Sequence, residues 1–274
     1  MSQRTSSDDV RVEPFPLRRR AVVDAVSMGH RRNTIHGLVE FDVTEARRRI
    51  RAHEAATSEK LSFTAFVVHC FARALAEHPE VQAYRDWRGR LVVFETVDVA
   101  VLVESEVGGT RTGVPFVVRD AGHESVESIT AAIRARQREP DTTQQAWWLP
   151  LTLRLPAVLR RQVYRLPRLA PRHWRRVAGT ACVTSLGMFG SGGGWGVPIT
   201  NYPVQLTVGG IAERPAFDEA GTVEPHEFLS VTVSVDHGTV DGAPAARFVE
   251  RFRSLVETSH GLPATAPEQA ARTT

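Results

Sequence analysis

From Leu229 to Val235 the chain alternates Leu229, Val231, Val233 and Val235 with Ser230, Thr232 and Ser234, the period-2 pattern of a strand with one buried face. Within a few residues a helix begins: Ala245, Phe248, Val249, Phe252, Leu255 and Val256 recur at helical spacing, and Pro244 falls where a first turn tolerates proline. The junction reads Asp236-His237-Gly238-Thr239-Val240-Asp241-Gly242, which places His237 at a strand end and Asp241 where it would cap the helix. A histidine held on a short turn between two buried elements can offer one ring nitrogen to a cavity while the other is fixed by backbone or carboxylate. That suits a general base, although a solvent-facing histidine beside a capping aspartate accounts for these residues equally well.

The same reading along the chain gives helices at about 17–29, 45–56, 62–77 and 125–138, and a strand at 35–43. A strand pair at about 91–104, a short strand at 114–118, strands near 180–185, 203–212 and 228–236, and the final helix complete the pattern. Strands and helices alternate irregularly, as in a mixed sheet covered by helices. The 274 residues are continuous enough to favour one α/β domain over about 14–259, with disordered arms at 1–13 and 260–274, which are rich in Ser, Thr, Ala, Pro and charge without periodicity.

Two isolated cysteines, Cys70 and Cys182, suggest neither a disulfide framework nor a metal site, and no metal-ligand spacing occurs. The apolar stretches fall short of a bilayer span, and the first residues lack the apolar core of a signal peptide, so a cytoplasmic protein is expected.

The net charge of +3 conceals an asymmetry. Between Trp147 and Arg176 stand eight arginines and no acid, which leaves the remainder near −5. Pro150, Pro156 and Pro167 break this segment into short pieces. Its Leu and Trp residues would let it pack on the body as a basic hairpin, cover a channel, lie on an anionic membrane or help bind coenzyme A phosphates. No nucleic-acid-binding motif accompanies the arginines, and no nucleic acid partner is expected.

The His237-x-x-x-Asp241-Gly242 stretch resembles the signature of the acyltransferase (E2) catalytic domain of 2-oxoacid dehydrogenase complexes, whose fold is shared with chloramphenicol acetyltransferase. Gly179-Thr180 and the residues through Gly190, followed by Pro198-Ile199, are similar to that family's Gly-Thr segment and its Pro-Ile. Weaker collinear matches occur at Arg19-Arg20-Ala21-Val22, Glu40 to Thr44, Phe63 to Phe66, His78 to Val81 and Val114 to Asp120.

The resemblance implies a chloramphenicol acetyltransferase-like mixed β-sheet covered by helices, assembled as a homotrimer or a higher assembly of trimers. It also implies His237 as general base, Thr184 as oxyanion donor, and coenzyme A or acyl-CoA as co-substrate without a metal. In the family the site lies at a subunit interface, so Thr184 would face His237 of a neighbouring chain. Asp241 would be held by Arg19 or Arg20, with Gly242 supporting the turn, and Trp195, Ser185 and His36 would line a substrate channel.

Three departures bear on the acceptor. Gly238 stands where dehydrogenase E2 domains commonly have Arg, the segment before the Gly-Thr strand is roughly 20 residues longer than usual, and no lipoyl or subunit-binding domain is recognised in the sequence. The expectation is therefore a free-standing enzyme that moves a short acyl group from acyl-CoA to a hydroxyl or thiol of a small molecule, as in tetronate O-acetylation. A dihydrolipoyl acyltransferase core and a non-enzymatic trimeric scaffold are the alternatives.

Overall fold

The computed structural model describes residues 12–107, 110–138, 155–186, 192–217 and 221–264. Helix α1 (Leu17–Gly29) leads to strand β1 (Thr34–Asp42), then α2 (Thr44–Thr57) and α3 (Phe63–Glu77). Two two-residue strands, β2 (Tyr84–Arg85) and β3 (Leu91–Val92), form a small ribbon, followed by β4 (Val99–Val107), β5 (Thr110–Val118) and α4 (Val126–Arg138). Three short helices come next, α5 (Ala157–Arg160), α6 (Leu166–Leu169) and α7 (Pro171–Ala178), with a 3-10 turn at Arg161–Arg165. Strands β6 (Ala181–Ser185), β7 (Val204–Phe217) and β8 (Val223–Asp236) and helix α8 (Gly242–Glu257) complete the body.

Six strands form one mixed sheet in the order β1-β8-β7-β6-β4-β5. The pairs β1/β8, β8/β7 and β4/β5 are antiparallel, while β6 runs parallel to both β7 and β4. Alternation decides which side chains face which layer. Val204, Leu206 and Val208 of β7 and Leu229, Val231, Val233 and Val235 of β8 join the core under α3 and α8. The intervening Thr207, Ser230, Thr232 and Ser234 face the other way and are also buried.

The helix side is closed by aromatic packing. Phe41 of β1 meets Phe252 of α8 edge-on, with ring centroids 5.1 Å apart, and Phe71 of α3 packs edge-on against both Phe248 and Phe252. All four rings are fully buried. Each is worth about 1.5–3 kcal/mol in transfer free energy, so α3 and α8 are held on the sheet mainly by these contacts.

Two expectations need correction. The body does not stop at 259: Leu262 lies in the core cluster, and His260 stacks on His69 with ring centroids 5.5 Å apart. Apolar burial here depends on one leucine, too little to give a periodic signal. The strands near 114–118 and 203–212 are longer than read, because the β4/β5 and β7/β8 hairpins extend their hydrogen-bonded ladders past the apolar core.

The Arg-rich segment is described from residue 155 onward, and Trp147 and Trp148 lie outside the described residues. Its arginines are partly structural. Asp24 of α1, 2 % exposed, accepts hydrogen bonds from Arg160 Nε at 2.6 Å and Arg161 Nε at 3.1 Å. The Tyr164 hydroxyl donates to the Ala21 carbonyl at 3.3 Å, so the short helices are docked on α1. No helix is long and apolar enough to cross a membrane among the described residues.

Candidate active site

The turn between β8 and α8 is a dense hydrogen-bonded knot. Asp236 ends the strand, and its carbonyl accepts from the backbone N–H of Thr239 at 2.9 Å and from the Thr239 hydroxyl at 2.9 Å. Its carboxylate accepts the Gly238 N–H at 3.0 Å and a 2.6 Å ion pair from Arg32. The His237 N–H donates to the Asn33 carbonyl at 2.8 Å, tying the turn to the end of α1.

His237 itself is fixed through one nitrogen. Nδ1 lies 3.0 Å from the Val240 carbonyl oxygen. A carbonyl only accepts, so Nδ1 carries a proton, and in the neutral ring Nε2 is the nitrogen that keeps its lone pair. Nε2 is then the atom that can take a proton from an incoming nucleophile. The side chain is about half exposed, open to whatever packs against this end of the sheet.

Asp241 and its supposed partners behave differently from expectation. Asp241 occupies the cap position of α8 but makes no side-chain cap hydrogen bond, and its side chain is 89 % exposed with Oδ1 3.9 Å from His237 Nδ1. Arg19 and Arg20 are exposed on α1, and neither has an ion-pair partner among the described residues. The arginine–aspartate pair that holds the turn is Arg32–Asp236. Its arginine comes just after α1 and its aspartate just before the histidine, a signal available only as a second Arg-Arg pair at 31–32. Gly242 opens α8 with open space around it.

Thr184 reaches its place through the Gly-Thr segment. Gly179 adopts φ +79°, and a Cβ there would sit 2.6 Å from the Asp98 carbonyl oxygen, so only glycine lets β6 enter this close to β4. Thr180 is fully buried: its N–H donates to the Asp98 carbonyl at 2.7 Å, and its hydroxyl accepts the Asp98 N–H at 3.1 Å. Burial alone would raise the Asp98 carboxyl, yet Arg175, the Asp120 N–H and Arg119 hold it below the usual carboxylate range. Arg175 Nε is 2.8 Å and Arg119 Nη1 3.0 Å from Asp98 Oδ2. This cluster pins the start of the strand whose fourth residue is Thr184.

Thr184 lies across from Thr207, which lies across from Thr232, giving a row of hydroxyls on the side of the sheet away from the core. The Thr207 and Thr232 hydroxyls are buried without a hydrogen-bond partner among the described residues. His36 shares this face, with Nδ1 2.8 Å from the Ser234 hydroxyl, and the Trp195 indole N–H donates to the Val39 carbonyl at 3.1 Å. Ser185 follows Thr184 on a strand and therefore points to the opposite face, away from His36 and Trp195.

The glycine-rich stretch before Pro198 runs against β7. Around the register shift of β7, a Cβ on Gly209 would come 2.0 Å from the Gly194 carbonyl oxygen. The segment lies backbone to backbone on β7, and it is Gly209 and Gly210 of the strand that this approach requires, whereas a Cβ at Gly192 or Gly194 would meet open space.

Base and oxyanion donor are far apart within one chain. Thr184 is level with Thr232, two strands over from β8 and five residues short of His237. At ~3.3 Å per residue and ~4.8 Å per strand this is a separation of about 19 Å. No cysteine substitutes as a nucleophile here: burial pushes the Cys182 thiol up to about 12 and raises Cys70 as well. Among the described residues no cluster of His, Cys, Asp and Glu could hold a metal ion.

A mixed sheet with helices on its core side, carrying a His-x-x-x-Asp-Gly turn at one strand end and a Gly-Thr strand at its centre, defines an α/β fold of the E2 acyltransferase-core class. The sequence matches the family model for 2-oxoacid dehydrogenases acyltransferase (catalytic domain) over residues 7–144 and 165–263, and the chain belongs to that family. Residues 145–164 fall between the two matched stretches, so the extra segment begins near the expected position and ends earlier than Arg176.

Among curated relatives, the dihydrolipoyllysine-residue acetyltransferase component of the mitochondrial pyruvate dehydrogenase complex of Caenorhabditis elegans is 28 % identical over 206 residues, covering 74 % of this chain and 34 % of the relative. The corresponding component from Mycoplasma capricolum subsp. capricolum is 25 % identical, covering 87 % of this chain and 48 % of the relative. The chain thus spans a third to a half of the length of these relatives.

Among solved structures, the cubic core of the pyruvate dehydrogenase multienzyme complex aligns with a TM-score of 0.68 at 18 % identity, covering 94 % of this chain and 96 % of the other. A probable dihydrolipoamide acetyltransferase from Listeria monocytogenes 4b F2365 aligns with the same score at 19 % identity, covering 94 % and 100 %. These likenesses show the fold.

Proposed function

We propose that this chain transfers an acyl group from coenzyme A to a thiol, with His237 as general base and Thr184 of a neighbouring copy as oxyanion donor. The observation that carries the reading is the His237 turn, where the Nδ1–H bond to Val240 leaves Nε2 as the free basic atom. Nε2 would take the proton of the attacking thiol as sulfur adds to the thioester carbonyl. The Thr184 hydroxyl would stabilise the tetrahedral oxyanion, whose collapse expels the original thiolate, and His237 returns the proton to it. A positioned base contributes ~10²–10⁴-fold in rate, and one oxyanion donor about 3–4 kcal/mol.

With both residues acting at one site, the separation of about 19 Å within a chain has them meet across an interface between copies, as the homotrimer implied by the family resemblance would provide. The relatives favour a dihydrolipoyl thiol as the acceptor. A second reading, a free-standing enzyme for a small-molecule hydroxyl or thiol, is favoured by Gly238 and by residues 145–164, which the family model does not match.

Subunit complementation tests the shared site. His237→Ala and Thr184→Ala each keep at most about a hundredth of wild-type activity in this scheme, yet an equimolar mixed assembly regains about a quarter, because one interface in four pairs an intact histidine with an intact threonine. CoA release is followed with dihydrolipoamide as acceptor. No regain in verified mixed trimers would refute the shared site, and CoA release only with small-molecule alcohols would favour the second reading.

A further inference from the structure

A cavity of about 290 Å³ opens between the end of α1, the β2 ribbon, the short helices that follow residue 160, and the back of the His237 turn. Its size is near the lower limit of small-molecule pockets. Five arginines line it, Arg31, Arg32, Arg85, Arg165 and Arg168, against a single acidic residue, Asp236. Only Arg32 is committed: Nη1 donates to the Asn201 carbonyl at 3.0 Å and Nη2 to Asp236. Its Nε is buried with no hydrogen-bond partner, and the other four arginines have no ion-pair partner among the described residues. A buried guanidinium N–H without an acceptor is costly, and four like charges around one hollow repel one another.

The remaining wall is aromatic. The Tyr84 hydroxyl donates to the Gly179 carbonyl and the Tyr164 hydroxyl to the Ala21 carbonyl, so both polar ends are occupied and the rings, with Trp174, face the hollow as apolar surface.

We infer that this cavity binds the phosphate group of a small phosphate monoester whose body is apolar or planar. The charge decides for phosphate over carboxylate: a monoester carries about −1.5 to −2 at pH 7 with three acceptor oxygens, whereas one carboxylate would leave most of the positive charge unmatched. The fork geometry of arginine suits such an oxyanion. The site is distinct from the proposed chemistry, since Asp236, Gly238 and Thr239 line it while His237 does not. Tyr164 is the last of residues 145–164, which the family model leaves unmatched, while Tyr84 and Trp174 lie in the matched stretches. Gly238, bearing no side chain, keeps the hollow open at the turn.

The test is calorimetric titration of the full chain with phenyl phosphate and inorganic phosphate. Phenyl phosphate should bind more tightly than phosphate, and the Arg85→Gln/Arg168→Gln double variant should weaken both by about tenfold or more. Tyr164→Phe, which leaves the ring but frees the docking carbonyl, should matter less for phenyl phosphate than Tyr164→Ala. Arg85 and Arg168 are exposed, and an unchanged melting curve verifies that the double variant folds.

Coenzyme A, itself a phosphate ester, supplies the discriminating arm. Saturating coenzyme A should leave phenyl phosphate binding within about twofold. Mutual competition would make the cavity part of the coenzyme A site and overturn the inference, as would the absence of binding at millimolar probe or equal binding by the double variant. The readout is binding without turnover, so failure of the acyl-transfer proposal leaves it intact.

Discussion

Replacing Asp236 by alanine should slow the enzyme without touching a reacting atom. Asp236 makes two side-chain interactions that shape the His237 turn: the 2.6 Å pair with Arg32 and the 3.0 Å acceptance of the Gly238 N–H. With a carboxylate as acceptor both hydrogen bonds are charge-assisted, a kind worth about 1.5–3 kcal/mol when buried. Both partners of the pair keep some solvent contact, with side chains 20 % and 16 % exposed, so screening brings the expected loss to about 2 kcal/mol. For a domain of this size that lowers Tm by about 4–6 °C.

The kinetic effect is larger in proportion. A displacement of His237 by about 1 Å can cost ~10²-fold in kcat, with the KM for acyl-CoA little changed. Asp236→Asn separates the two contributions, because its amide oxygen still accepts the Gly238 N–H while the charge is lost. It should share most of the drop in Tm but keep kcat within several-fold of wild type. The assay is release of free CoA thiol under saturating acceptor, with melting followed by circular dichroism. Wild-type kcat in Asp236→Ala would refute the positioning role of the turn, and an equal loss in both variants would show that charge, not turn geometry, matters.

His237→Ala should abolish CoA release while leaving Tm and assembly near wild type, as measured by calorimetry and light scattering. Residual turnover above a tenth of wild type would dismiss it as the base. Thr184→Ala should lower kcat by roughly 10²-fold with little change in KM, and Thr184→Ser should recover most of it. Asp24→Ala strands Arg160, whose side chain is 12 % exposed, and should cost about 3 kcal/mol while making the chain around Arg160 and Arg161 susceptible to limited proteolysis. Asp98, held below the usual carboxylate range, stabilises the fold fully above its unfolded pKa of about 3.9 and loses that contribution as pH falls through its lower folded value. Asp98→Asn should therefore melt well below wild type at pH 7, with the gap closing as both are titrated toward pH 2.

The sequence by itself determined the elements and the chemistry-bearing turn. Alternation from Leu229 to Val235 and helical spacing from Ala245 to Val256 are short-range signals set by backbone geometry, and they located β8, α8 and His237 between them. The Gly-Thr segment was legible only through its resemblance to the E2 family, and its physical cause, an entry so close beside Asp98 that it admits only glycine at Gly179, appears in the fold alone. What holds the turn was not legible. Arg32 and Asp236 are 204 residues apart, and nothing local distinguishes Arg32 from Arg19 or Arg20, which end exposed on α1. Likewise, alternation assigns Thr184 a face but not a distance. Only the strand order β8-β7-β6 sets it two strands from His237, because pairing across a sheet is decided by packing of the whole core, after each strand's own pattern has already been satisfied.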